Sequence, residues 1–179
     1  MKFRKIIAVV LVILVIITSG KYLLKKYIFP FRHKEVILKY SEENNLDPYL
    51  VLSVIMAESG FNPEAKSHKE AMGLMQITDD TGKWIAEQMG IKNYNKDMLY
   101  DEEYNIKMGC WYLNDLRSEF GDIDLFIAAY NAGRGRVNTW LNNKDYSKDG
   151  KPLDYIPYKE TKEYVDKVKT YYKIYKKLY

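Results

Sequence analysis

Glu58 stands at the end of Val51-Leu52-Ser53-Val54-Ile55-Met56-Ala57-Glu58-Ser59-Gly60, the stretch that most constrains what this chain can become. Asp47-Pro48 ahead of it pairs an N-cap acid with a proline at the first helical position. Gly60-Phe61-Asn62-Pro63 behind it ends the helix, since glycine permits a left-handed cap and proline cannot continue the ladder. On the helix so bounded, Val51, Val54, Ile55 and Glu58 fall at i, i+3, i+4 and i+7, on one face. The apolar stripe that should face the core therefore ends in an acid. Partial desolvation and the negative end of the helix dipole both disfavour the charged carboxylate and raise its pKa. A carboxylic acid held protonated near neutrality can donate a proton to a leaving group. The plainer alternative is a Glu58 that emerges into water at the helix end.

The rest of the chain reads as helices joined by loops. Val36, Ile37 and Tyr40 mark a helix after Pro30, ending near Glu43-Asn44-Asn45. Residues 61–73 are loop-like, and Gly73-Leu74-Met75-Gln76-Ile77 is a short apolar run carrying one amide. Thr78-Asp79-Asp80 starts a helix to about Met89, with Trp84 and Ile85 inward. Asp101-Glu102-Glu103 starts another to about Phe120, whose inner stripe of Ile106, Cys110, Leu113 and Phe120 makes Cys110 a buried apolar residue. Leu125 to Asn131 is a near-continuous apolar helix suited to a central position, closed by Ala132-Gly133-Arg134-Gly135. A short helix over Arg136–Leu141, an exposed loop over 142–153 and an extended entry at Ile156-Pro157 follow. The last helix repeats Tyr164, Val165, Val168, Tyr171, Tyr172 and Tyr175 at helical spacing, with lysines on its other face. No strand run, internal repeat or second globular domain stands out, so the fold class is all-α.

Charge divides the 179 residues unevenly. Residues 1–34 hold eight Lys/Arg and no acid; residues 35–179 hold 20 Lys/Arg against 24 Asp/Glu. The net +4 thus belongs to the N-terminal end, and the acidic remainder argues against nucleic acid as a partner. The lone Cys110 leaves no internal disulfide and no cysteine-rich zinc site, and the two histidines lack ligand spacing, so no metal is expected. Lys2, Arg4 and Lys5 precede twelve apolar residues, Ile6 to Ile17, a length nearer a signal-peptide core than a span of ~20 residues. Apolar residues resume at Tyr22-Leu23-Leu24, and lysines at 21, 25 and 26 can snorkel, so an uncleaved span over residues 6–24 is preferred to a signal cleaved near Thr18-Ser19-Gly20. No cysteine follows to carry a lipoprotein anchor. Either reading exports residues 35–179. The expected arrangement is a single-pass anchor over residues 1–31 and an extracytoplasmic domain over 32–179.

Three further stretches bear on chemistry. Gly73-Leu74-Met75-Gln76 offers an amide, Ala129-Tyr130-Asn131-Ala132-Gly133 a phenol and an amide, and Tyr155-Ile156-Pro157-Tyr158-Lys159-Glu160-Thr161 two phenols and a second acid. Amides, hydroxyls and flat rings are what a site needs to hold sugars. Each also has an ordinary structural reading; their joint occurrence with Glu58 is what points to a glycan site.

Glu58-Ser59-Gly60-Phe61-Asn62-Pro63-Glu64-Ala65, Gly73-Leu74-Met75-Gln76-Ile77, Ala129-Tyr130-Asn131-Ala132-Gly133 and Ile156-Pro157-Tyr158-Lys159-Glu160-Thr161 resemble, in this order, the signature stretches of the family 1 lytic transglycosylases, the soluble lytic murein transglycosylase (SLT) type. The resemblance runs from about residue 35 to about 170. It implies a goose-type-lysozyme-like helical domain that cleaves the β-1,4 bond between N-acetylmuramic acid and N-acetylglucosamine in peptidoglycan without water and without a cofactor. The chain is expected to act as a monomer. It further implies Glu58 as the catalytic acid and Ser59, Met75, Gln76, Tyr130, Asn131 and Glu160 as residues lining the glycan groove. Three departures bear on loop shape and substrate preference: Glu70 where the family has glycine, Arg134 where it has proline, and Thr78-Asp79 where it has Met-Pro. A hydrolytic goose-type muramidase and a non-catalytic peptidoglycan-binding protein are the alternatives.

Overall fold

Residues 2–150 and 152–179 are described by a computed structural model. Helix α1 covers Lys2–Leu23 and passes into a wider π-helical turn over Leu24–Ile28. The apolar helical stretch Phe3–Ile28 has 26 residues, about 39 Å at 1.5 Å per residue, long and apolar enough to cross a membrane, and none of its most apolar window is buried in the protein. The helix thus continues past the lysines that made the sequence ambiguous.

The domain consists of α2 (Lys34–Glu43), α3 (Pro48–Glu58), α4 (Asp79–Gln88), a 3-10 turn (Lys96–Tyr100), α5 (Glu102–Phe120), α6 (Ile123–Ala132), α7 (Arg134–Leu141) and α8 (Lys159–Leu178). Extended pairing among the described residues is limited to isolated bridges from Met72 to Lys66 and Ile77. The helix starts are chemically marked. Asp47 accepts from the Tyr49 amide at 2.9 Å, Asp101 from the Tyr104 amide at 2.7 Å, and Asp122 from the Asp124 amide at 2.8 Å. Helix α7 begins two residues earlier than the sequence suggests, because Gly133 alone, at φ 90°, makes the break from α6. Of the loop over 142–153, Ser147 is buried and donates to the Pro152 carbonyl at 2.9 Å; Lys151 lies outside the described residues.

Helix α3 is central rather than one-faced: every residue from Leu50 to Ile55 is buried, including Leu52 and Ser53. It lies antiparallel to α8. At one end Tyr172 donates to Asp47 at 2.6 Å, and at the other Tyr164 donates to Glu58 at 2.6 Å. The apolar stripe of α8 supplies Tyr164, Val165, Val168 and Tyr175 to the core. Phe29, assigned with the anchor from sequence, is a core residue packed edge-on against Tyr171 and Tyr175.

Candidate active site

The loop between α3 and α4 forms one wall of a cleft, and its shape depends on residues that never reach the ligand space. Asn105, fully buried on α5, donates to the carbonyls of Met72 (3.0 Å) and Leu99 (2.8 Å) and accepts from the Met75 amide (2.7 Å). Gly73 sits against this bracket at φ +77°; a Cβ there would lie 2.1 Å from the Leu99 carbonyl oxygen, so only glycine fits. Ser59 ties the end of α3 to the same loop by donating to the Leu74 carbonyl at 2.8 Å.

These contacts separate the residues expected to line the groove into two groups. Glu58, Gln76, Tyr130, Asn131 and Glu160 line a cleft of about 390 Å³, together with Ser67, His68, Lys69, Thr78, Thr81 and Tyr112 among others. Met75 does not: its side chain has no exposed surface and packs against Gly109, whose missing Cβ makes the room. Ser59 is also absent from the lining, because its hydroxyl is turned to backbone carbonyls behind the wall. Both support the wall from behind.

Glu58 closes α3 at the inner side of the cleft. Burial pushes its carboxyl up from the usual 4.5 to about 7; the Tyr164 hydrogen bond and the charge of Lys167 oppose the shift without cancelling it. Lys167 donates to the Ala57 carbonyl at 2.7 Å, placing its ammonium at the negative end of α3. Burial also holds the Tyr164 and Tyr130 phenols far above their ordinary range, so both stay protonated donors. Tyr130 donates to the Met75 carbonyl at 2.8 Å and packs 5.5 Å from Tyr112. Gln76, in the left-handed region at φ 49°, donates from Nε2 to the Ala65 and Gly73 carbonyls, both at 3.0 Å. Two carbonyls fix its amide nitrogen inward and leave Oε1 as the amide atom available to a ligand. Asn131 has no protein hydrogen bond among the described residues, so its whole amide is free. Glu160, in the first turn of α8, is 76% exposed and 4.0 Å from the Lys69 ammonium.

Two residues that the motifs do not single out complete the site. Tyr164 carries a helical-spacing signal that reads as core, and nothing in sequence joins it to an acid 106 positions away. Arg134, one of the family departures, pairs with Asp115 and Glu119 on α5 and lies over the rings of Trp84 (4.6 Å) and Tyr112 (5.9 Å), bracing the Tyr112 wall. No group of three or more His, Cys, Asp or Glu side chains able to hold a metal occurs among the described residues.

The model of the transglycosylase SLT domain matches residues 35–152. The soluble lytic murein transglycosylase of Escherichia coli K12 is 35% identical over 146 residues, covering 80% of this chain and 23% of the relative. Membrane-bound lytic murein transglycosylase F of Desulfosudis oleivorans is 33% identical over 175 residues, covering 81% of this chain and 36% of the relative. The solved lytic transglycosylase Slt of Pseudomonas aeruginosa, an inactive mutant, superposes with a TM-score of 0.75 at 31% identity over 86% of this chain and 25% of that one. The E. coli 70-kDa soluble lytic transglycosylase in complex with bulgecin A gives 0.74 at 32% identity, over 83% and 25%. The chain therefore spans about a quarter of the length of most of these relatives. The all-α domain carries the fold of these enzymes, and the chain belongs to the lytic transglycosylase SLT-domain family.

Proposed function

We propose that this protein is a peptidoglycan lytic transglycosylase that breaks the bond between N-acetylmuramic acid and N-acetylglucosamine non-hydrolytically, with Glu58 as the sole acid and base. The observation that carries the reading is geometric: the half-buried Glu58 carboxyl lines a polar cleft at the end of α3 and accepts a 2.6 Å hydrogen bond from Tyr164, and desolvation there pushes its pKa up to about 7. Hydrolytic glycosidases generally place two carboxyl groups across the bond. The other carboxylate lining this cleft, Glu160, stands in solvent beside Lys69.

Glu58 begins protonated and gives its proton to the glycosidic oxygen as the bond to the muramyl C1 breaks. The resulting carboxylate, stabilised by the Tyr164 hydroxyl, takes the proton from the C6 hydroxyl of the same sugar. That oxygen closes on C1, giving a 1,6-anhydro end and restoring the acid. No water is consumed and no cofactor is needed. Keeping the attacking hydroxyl on the substrate ring supplies the high effective molarity of an intramolecular reaction. Gln76, Tyr130, Asn131 and Glu160 contact the glycan, while Ser59 and Met75 hold the wall that positions them. The substrates in this reading are peptidoglycan strands, which the polar lining of the cleft can hold.

Residues 6–24 serve as a membrane anchor, with the catalytic domain outside the cell. The length of the apolar helix and relatives named membrane-bound support this placement. The test of the catalytic assignment is digestion of purified peptidoglycan by the full chain and by Glu58→Gln. Fragment release by the first and none by the second, with both folded, is the expected result. Equal release would remove Glu58 from the chemistry.

A further inference from the structure

The anchor enters the domain without a linker. Tyr27 and Ile28 are 67% and 51% exposed, yet Phe29, the next residue, is 9% exposed and part of the core. Its ring meets Tyr171 at 5.5 Å and Tyr175 at 5.6 Å, both edge-on. Phe31 meets Tyr179 at 5.5 Å and Tyr49 at 6.3 Å. Tyr175 donates to the Pro30 carbonyl at 3.2 Å, and Tyr179 to the carbonyls of Phe29 (3.0 Å) and Lys25 (3.3 Å). The Lys25 ammonium lies 4.4 Å over the Tyr179 ring. The junction is thus clamped by α8 and the residue after it.

The opposite end of α8 enters the cleft, where Glu160 lines it and Tyr164 holds Glu58. Helix α3 runs the other way beside it, from Asp47 near the junction to Glu58. A helix of 20 residues is about 30 Å long. Whatever its tilt, the cleft cannot lie farther than about 30 Å from the junction. The junction itself belongs at headgroup level: Lys21, Lys25 and Lys26 alternate there with Tyr22 and Tyr27, residue types that settle at the membrane–water interface.

We propose that α8 is a strut that confines cleavage to glycan within about 30 Å of the bilayer surface, so that the substrates are strands held beside the membrane, not wall material farther out. This rests on the transglycosylase reading and on an uncleaved anchor. A flexible join would give a wider field: a Gly/Ser insert of about 30 residues has an r.m.s. length of roughly 30 Å and a far longer maximum.

The experiment uses the full chain reconstituted in lipid vesicles, beside a variant with such an insert between Ile28 and Phe29. A donor dye on Glu64→Cys, at the exposed loop of the cleft wall, reports energy transfer to acceptor-labelled headgroups; buried Cys110 stays unlabelled. The clamped chain should give one narrow distance distribution and the insert variant a broad, longer one. In a second arm, glycan is displayed either directly on the vesicle or on a rigid spacer of about 60 Å, beyond the strut length but within reach of strut and insert together. The clamped chain should cleave only the first, the insert variant both, and the two should cleave soluble fragments at equal rates. Equal breadth of the two distance distributions overturns the strut even if neither chain is active, and cleavage of spacer-held glycan by the clamped chain overturns it as well. Release of the chain from the vesicles would instead overturn the anchor, and the proposal with it. A narrow distance without cleavage of soluble fragments would refute the transglycosylase reading, and with it the claim about substrates, while leaving the clamp standing.

Discussion

Tyr164 on α8 donates a 2.6 Å hydrogen bond to Glu58 at the end of α3. The contact pulls the carboxyl down while burial pushes it up, and the balance leaves it near 7. A proton donor that must also become a stable carboxylate needs both influences. Replacing Tyr164 by Phe removes the one that favours the charged form. The alkaline limb of kcat/KM should then move above its wild-type position near pH 7, and kcat should fall roughly tenfold, the size of a lost hydrogen bond to a charged group. A pH–rate profile checks this; an unshifted limb would place the contact outside the chemistry.

The raised pKa of Glu58 also has a cost in stability. Below pH 4.5 both folded and unfolded states keep the proton, and the group contributes nothing. Between 4.5 and about 7 the unfolded chain ionises while the folded one resists, so stability falls as pH rises. Above 7 the penalty is constant, roughly 3 kcal/mol from the pKa difference. Glu58→Gln should therefore be more stable than wild type at pH 8 by up to that amount, and equal to it near pH 4. Unfolding followed by tryptophan fluorescence measures this, since Trp84, Trp111 and Trp140 all lie in the domain.

Gly73 supports the cleft wall by having no side chain. Gly73→Ala would set a methyl group against the Leu99 carbonyl and the Asn105 amide in a left-handed backbone. Strain and overpacking together should cost about 4 kcal/mol. Thermal unfolding should show the loss, and activity should fall with it because Gln76 is held by the Gly73 carbonyl.

Glu70 occupies the left-handed region at φ 61°, at the position where the resemblance expects glycine. Its pairing with Lys66 at 2.5 Å is exposed and offsets little of that strain. Glu70→Gly should raise stability by about 1 kcal/mol without changing kcat. A lower melting temperature would mean the ion pair outweighs the backbone.

Much of the fold was legible because it is locally written. The caps of α3, α5 and α6 rest on Asp47, Asp101 and Asp122, each bonding an amide two or three residues on. The candidate acid was legible too, as the polar end of an apolar helix. What sequence could not provide is long-range. The Asn105 bracket joins α5 to a loop about 30 residues away, and Tyr164 reads as core until α8 is laid along α3. Met75 shows the converse: its place in a motif suggested the groove, yet only the close approach of Gly109 reveals that its side chain is buried and its carbonyl is the useful part.

The measurement that bears most directly on the central claim is the mass of the peptidoglycan fragments the full chain releases, with Glu58→Gln alongside. Fragments lighter by one water, ending in 1,6-anhydromuramic acid and lacking a reducing end, and absent with the variant, are the predicted products. Reducing-end fragments of full mass would contradict the account, because they would show that water, not the C6 hydroxyl, attacks the sugar beside Glu58.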